Sequence, residues 1–234
     1  MRKQYQGVTA YVGLPGSGKT YSMAEAGLRA LRRGRDVWAN ADHTGERAWF
    51  YGAKMFRTFD EFAAIPAGDP ARGIPGPIIL WDELPLFVNA RKWQDFPDGL
   101  LYRFTQIRKD AIELHFSTID WRMVDVNVRR VTFWVWECES VGFGIHKRKL
   151  WPPEERRKKD DRPRRREMFR IRDSVISEFD SFGKVSAPLA LPAPVVETAG
   201  AGGVPAERGA GLVVRHGAKR LVRPTIPQRR TTTT

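Results

Sequence analysis

The chain has 234 residues, enough for one medium domain with a tail or for two small domains. Its 40 Lys and Arg outnumber 27 Asp and Glu for a formal charge of +13, while 41% apolar and 11% aromatic content excludes a wholly disordered chain. A single cysteine, Cys138, excludes an intramolecular disulfide framework and a Cys-rich zinc site.

The longest apolar runs, 77–81 and 131–136, fall far short of the ~20 residues of a membrane helix, and no secretory h-region follows the N-terminal residues. A cytoplasmic protein is expected, with any membrane contact peripheral, at the inner face. The basic excess is uneven. Residues 1–144 hold 19 basic and 17 acidic side chains, and residues 145–234 hold 21 and 10. Within the second half, Arg156-Arg157-Lys158-Lys159 and Arg162-Pro163-Arg164-Arg165-Arg166 alternate with acids. They fit either a solvated surface loop or a contact with a polyanion.

Val8 to Val12 is a short β-prone run that enters a glycine-rich turn. That turn, Gly13-Leu14-Pro15-Gly16-Ser17-Gly18-Lys19-Thr20, matches G-x-x-x-x-G-K-[ST] at every position. Its glycines let backbone N–H groups face inward as a nest for phosphate oxygens, and a helix predicted over 19–33 aims its N-terminus at the same place. Lys19 is expected on the β- and γ-phosphates of ATP, and Thr20 on Mg²⁺. Gly34 should stop the helix, and residues 36–40 read as a second strand.

An aromatic, loop-rich stretch follows, with a short helix over 59–64. Pro77-Ile78-Ile79-Leu80-Trp81 then reads as a buried parallel strand. It ends in Asp82 and Glu83. Asp82 suits a water-mediated Mg²⁺ contact, and Glu83 suits polarising an attacking water. Further elements are a helix over 98–109, a strand over 112–118, an ambiguous segment at 124–130 and a strand over 131–137.

Alternating strands and helices predict a three-layer α/β core with a mainly parallel sheet. Residues 1–140 are expected to form it, 141–183 a smaller β-rich part of the same domain, and 184–234 a disordered basic tail rich in Ala, Pro and Gly. A positive charge is needed on the γ-phosphoryl transition state. Arg103, Arg108, Lys109, Arg129 and Arg130 are the candidates, with Arg129 and Arg130 preferred, supplied within the chain or by a neighbouring subunit. His43, His115, His146 and His216 show no metal-ligand spacing.

The loop GLPGSGKT, the strand IILWDE and the block 103–118 together resemble the zonular occludens toxin (Zot) family, which includes filamentous-phage assembly ATPases and is similar to HerA/FtsK-type DNA-pumping ATPases. Val124 to Arg130 and Phe179-Asp180-Ser181 echo further parts of that family, over roughly residues 7–185. The resemblance implies a P-loop NTPase that uses ATP and Mg²⁺, assembles as a homo-oligomeric ring, and acts on phage or mobile-element DNA or nucleoprotein. Two departures stand out. Ile119 follows Thr118 where the family carries Gln, leaving Thr118 as a partial substitute for γ-phosphate sensing. The transmembrane helix usual in phage members has no counterpart here, so membrane attachment would need an anchored partner or the basic surface. Two other readings stay open at this point: a P-loop nucleotide or small-molecule kinase, and an ATP-gated binding protein with little turnover.

Overall fold

The computed structural model describes residues 7–42, 45–87 and 98–179. In chain order they form β1 (Gly7–Val12), α1 (Lys19–Leu31), β2 (Val37–Asn40), β3 (Lys54–Phe56), α2 (Phe59–Ala63), β4 (Ile78–Trp81), α3 (Asp98–Gln106), β5 (Glu113–Thr118), α4 (Val126–Val131), β6 (Thr132–Gly142), β7 (Ile145–Trp151), β8 (Arg165–Arg170) and the short α5 (Asp173–Ile176). The strands make one sheet in the order β3-β2-β4-β5-β1-β6-β7-β8. The first six in that order run parallel, β7 is antiparallel to β6, and β8 is antiparallel to β7.

The period of two along each strand sorts the core into two layers. From β4, Ile79 and Trp81 face α2, α3 and α4, while Ile78 and Leu80 face α1. Both faces are covered, which is why 77–81 is apolar without alternation. Trp81 meets the rings of Phe56, Phe59, Phe62, Phe87 and Phe104, so the aromatics of the expected loop region are core residues that fix the end of β4. On the other face, a Cβ at Gly27 would lie 2.7 Å from Leu80, so the bare glycine lets α1 settle on β4.

Several boundaries differ from expectation. Helix α1 ends at Leu31, and Arg32, Arg33 and Gly34 form a turn that closes on Leu28, Ala30 and Leu31 carbonyls. Helix α3 ends at Gln106, because residues 107–111 turn back to bury Ile107 and Ala111. The ambiguous 124–130 segment forms most of α4, capped by Asp125, and the helix takes in Val131, so β6 starts at Thr132. Strand β3 lay hidden in the aromatic stretch.

Residues 141–179 continue the same sheet: β6 runs on to Gly142 where β7 pairs with it, and β8 extends the sheet beyond β7. The basic cluster is partly structural. Arg156 donates to the Arg130 and Thr132 carbonyls, and Arg157 pairs with Glu137 while lying 4.2 Å from the Trp151 ring. The tail expected at 184–234, with His43, Asp180, Ser181 and His216, lies outside the described residues.

Candidate active site

The loop after β1 and the acids after β4 meet at the same edge of the sheet. Strand β5 separates their strands, which sets β1 and β4 ~10 Å apart at the usual strand spacing. A gap of that size suits a ligand bridging both. Helix α1 begins without a side-chain cap, and its N-cap, Gly18, adopts left-handed φ 88°. Gly16 is also left-handed, at φ 76°. At Gly13 the requirement is space: an added Cβ would collide with the Cys138 carbonyl of β6 and lie 2.6 Å from Ser17 Oγ. Gly13 N–H donates to the Thr118 carbonyl and Ser17 N–H to the Leu14 carbonyl. The N–H groups of Gly16, Gly18, Lys19 and Thr20 face a helix N-terminus without a backbone acceptor among the described residues, an arrangement suited to phosphate. Ser17 Oγ is buried without a partner. Leu14 is exposed, and its carbonyl accepts from Ser17 N–H and from Lys19 Nζ at 3.1 Å.

Across the gap, Thr20 Oγ1 donates to Asp82 at 3.3 Å from Oδ2. A hydroxyl and a carboxylate this close form an oxygen donor set that fits Mg²⁺, which takes one or two protein oxygens together with substrate phosphates. Burial pushes the Lys19 ammonium below its ordinary pKa, and the Asp82 charge opposes that shift. Burial raises Asp82, opposed chiefly by the Ser117 hydrogen bond. Glu83 is raised by burial and then by the neighbouring Asp82 charge.

Two residues outside the sequence motifs hold the acids. Ser117 Oγ donates to Asp82 Oδ1 and accepts the Glu83 N–H at 2.8 Å. Asn40 Oδ1, at the end of β2, accepts the Asp82 N–H at 2.9 Å. Thr118 is turned to the opposite face of β5, and its hydroxyl donates to the Asp120 carbonyl at 2.8 Å. Ser117, rather than Thr118, reaches the acids.

Within this chain the candidate arginines, and Lys109, lie away from the loop and the acids. Arg103 is held by Asp110 at 2.6 Å and by the Ile65 carbonyl. Arg108 sits over the Phe133 ring, and Lys109 is exposed in the turn before β5. Arg129 pairs with Glu155 at 2.8 Å, and exposed Arg130 precedes β6. The register pairs Thr132 with Val8 and Glu137 with Val12, so Arg129 and Arg130 stand at the strand edge opposite the loop. His115 bonds Tyr11, and His146 packs beside Gly18 against Phe169.

Comparison with solved structures gives the N-terminal domain of zonular occludens toxin from Neisseria meningitidis, at TM-score 0.51 and 16% identity, covering 76% of this chain and all of that one. The fold is that of a P-loop NTPase. The genome-packaging NTPase B204 of Sulfolobus turreted icosahedral virus 2, in complex with ATP-γ-S, superposes at TM-score 0.49 with 9% identity over 71% of this chain and 98% of that one. Comparison with protein-family profiles and with curated protein sequences finds no match. Among the described residues of this P-loop NTPase fold, no helix is long and apolar enough to cross a membrane.

Proposed function

We propose that this chain is a Mg²⁺-dependent ATPase of the Zot type, a motor that assembles, exports or packages phage or mobile-element DNA. The observation that carries the catalytic part is the approach of Thr20 to Asp82 at 3.3 Å beside Lys19 and Glu83. The loop 13–20 binds the triphosphate through its N–H groups, and Lys19 exchanges the Leu14 carbonyl for phosphate oxygen. Thr20 and Asp82 would hold Mg²⁺, which when bound offsets charge on the phosphates. Glu83 takes the proton of an attacking water, a role favoured by its raised pKa. Ser117 and Asn40 keep the two acids in register. The DNA cargo rests on the sequence resemblance and on the basic excess beyond residue 144.

Phosphate release from ATP by the purified chain, with no phosphorylated acceptor, tests the hydrolase against a kinase. Lys19→Ala and Glu83→Gln are each expected to cut turnover at least ~100-fold. Parental rates in both would show the site to be wrong. A second reading, an ATP-gated binding protein with little turnover, is favoured by the engagement of Arg103, Arg108 and Arg129 elsewhere. Tight ATP binding without phosphate release, even at high protein concentration and with DNA present, would select it.

A further inference from the structure

A cavity of about 560 Å³ opens beneath the C-terminal half of α1, on the same face of the sheet as the phosphate loop but reaching toward the opposite strand edge. Its volume is within the range of small-molecule sites, ~300–1,000 Å³. Toward it α1 presents the small Ala26 and Ala30, with Arg29 at its side. Its floor is a row of rings from three adjacent strands: His115 of β5, Tyr11 of β1, and Trp134 and Trp136 of β6. In the register, Thr9 stands beside both His115 and Trp134, and Tyr11 stands beside Trp136. Tyr11 OH bonds His115 Nδ1 at 3.0 Å with the rings stacked, so this part of the floor is fixed.

The walls are cationic. Arg29 and Arg33 come from the end of α1 and the turn after it, and Arg148 and Arg165 from β7 and β8. Arg29, Arg148, Arg165 and the nearby Arg172 share only two carboxylates, Glu25 and Glu167. Arg33 has no carboxylate partner among the described residues. Arg35 is matched by Glu113 at 2.7 Å, so positive charge exceeds its partners around this concave space, which concentrates anions. A roomy cavity with such walls does not stay dry; Arg148 lies over the Trp136 ring, and the other rings of the floor offer a planar ligand a surface that water does not need.

We propose that this cavity is a second ligand site, taking a small molecule with a planar ring and at least two negative charges, of nucleoside monophosphate size. Its occupant would touch β1 and α1, the two elements that flank the phosphate loop, without touching the loop.

Isothermal titration of the full chain with AMP and with UMP tests the site, with adenosine and inorganic phosphate as separate arms. The parent, Lys19→Ala and Arg33→Ala/Arg165→Ala chains are compared; both arginines are exposed, so the double variant leaves the core intact. A monophosphate is expected to bind the parent and Lys19→Ala equally. The double variant should bind about tenfold more weakly or worse, as follows from losing charge-assisted contacts. Adenosine and phosphate alone should each bind at least about tenfold more weakly than AMP. Loss of binding in Lys19→Ala but not in the double variant would assign the ligand to the phosphate loop and overturn the site. Silence with both monophosphates, or inorganic phosphate binding as tightly as AMP, would overturn it too. Because Lys19→Ala lacks the proposed ATPase, failure here and failure there are separable.

Discussion

Glu83 occupies the left-handed region, at φ 50° and ψ 47°, where a side chain costs ~1–2 kcal/mol. Ser117 pins that conformation by accepting the Glu83 N–H. Strain of this kind at an acid beside a phosphate loop favours function over stability. Glu83→Gly should therefore be more stable than Glu83→Ala by about 1 kcal/mol in urea unfolding, although neither hydrolyses ATP. Charge adds a pH dependence. Burial and the Asp82 charge raise Glu83 above its ordinary 4.5, so the folded chain holds that proton to a higher pH than the unfolded chain. The ionised carboxylate thus lowers stability once pH rises past the folded value. Glu83→Gln is expected to be at least as stable as the parent near neutral pH, and its advantage should vanish in acid below the ordinary Glu value. Chemical denaturation at both pH values checks this, and a Gln variant that is less stable at neutral pH would contradict it. Lys19, Thr20, Asp82 and Glu83 were legible because each sits in a contiguous motif. Ser117 and Asn40 were not, because their roles come from the sheet order, which brings β2, β4 and β5 side by side. One signal was present: each is a polar residue near the C-terminal end of a buried strand.

Among the elements, α1 is tied to the antiparallel edge of the sheet by one buried cation. Arg148 bonds Glu25 of α1 at 2.8 Å and Glu167 of β8, and it lies over the Trp136 and Phe169 rings. Its side chain is 8% exposed, so Arg148→Ala would leave two half-buried acids with weaker partners and remove the packing over both rings. A loss of roughly 3 kcal/mol is expected, read as a lower urea midpoint, against a small change for exposed Arg170→Ala. Strong periodicity or continuous apolar runs made β1, α1, β4, β5 and the start of β6 readable. Strand β3 has three residues and no alternation, so its pairing with β2, rather than its own pattern, makes it a strand. The end of α3 moved inward because the turn beyond it buries Ile107 and Ala111, whereas α1 ends two residues early in an exposed turn, a difference within the usual fraying of helix ends.

Across the whole molecule, sheet polarity separates two unlike surfaces. The phosphate loop and the acids lie at one edge, and Arg130, with Arg108 and Arg156 around Phe133, lies at the other. Strand direction decides this, and composition does not, so the sequence alone left Arg130 among the candidates. Five residue steps along β6, ~16 Å of strand, separate the levels of Thr132 and Glu137, and exposed Arg130 lies beyond Thr132. For Arg130 to serve a γ-phosphate it must therefore come from another copy. Contact between unlike surfaces is heterologous, and repetition of such a contact closes a ring or extends a filament. The proposed ring is therefore open to a complementation experiment. Lys19→Ala and Arg130→Ala chains are each expected to be nearly inactive alone. In a random mixture, a competent site needs its own Lys19 from one variant and the neighbour's Arg130 from the other, so about a quarter of parental activity should return for a head-to-tail ring. Phosphate release by the mixture, measured above the concentration at which the parent's specific activity levels off, gives the answer. Parental activity in Arg130→Ala alone would remove Arg130 from the reaction, and a mixture no more active than its parts would remove it as a residue acting between subunits.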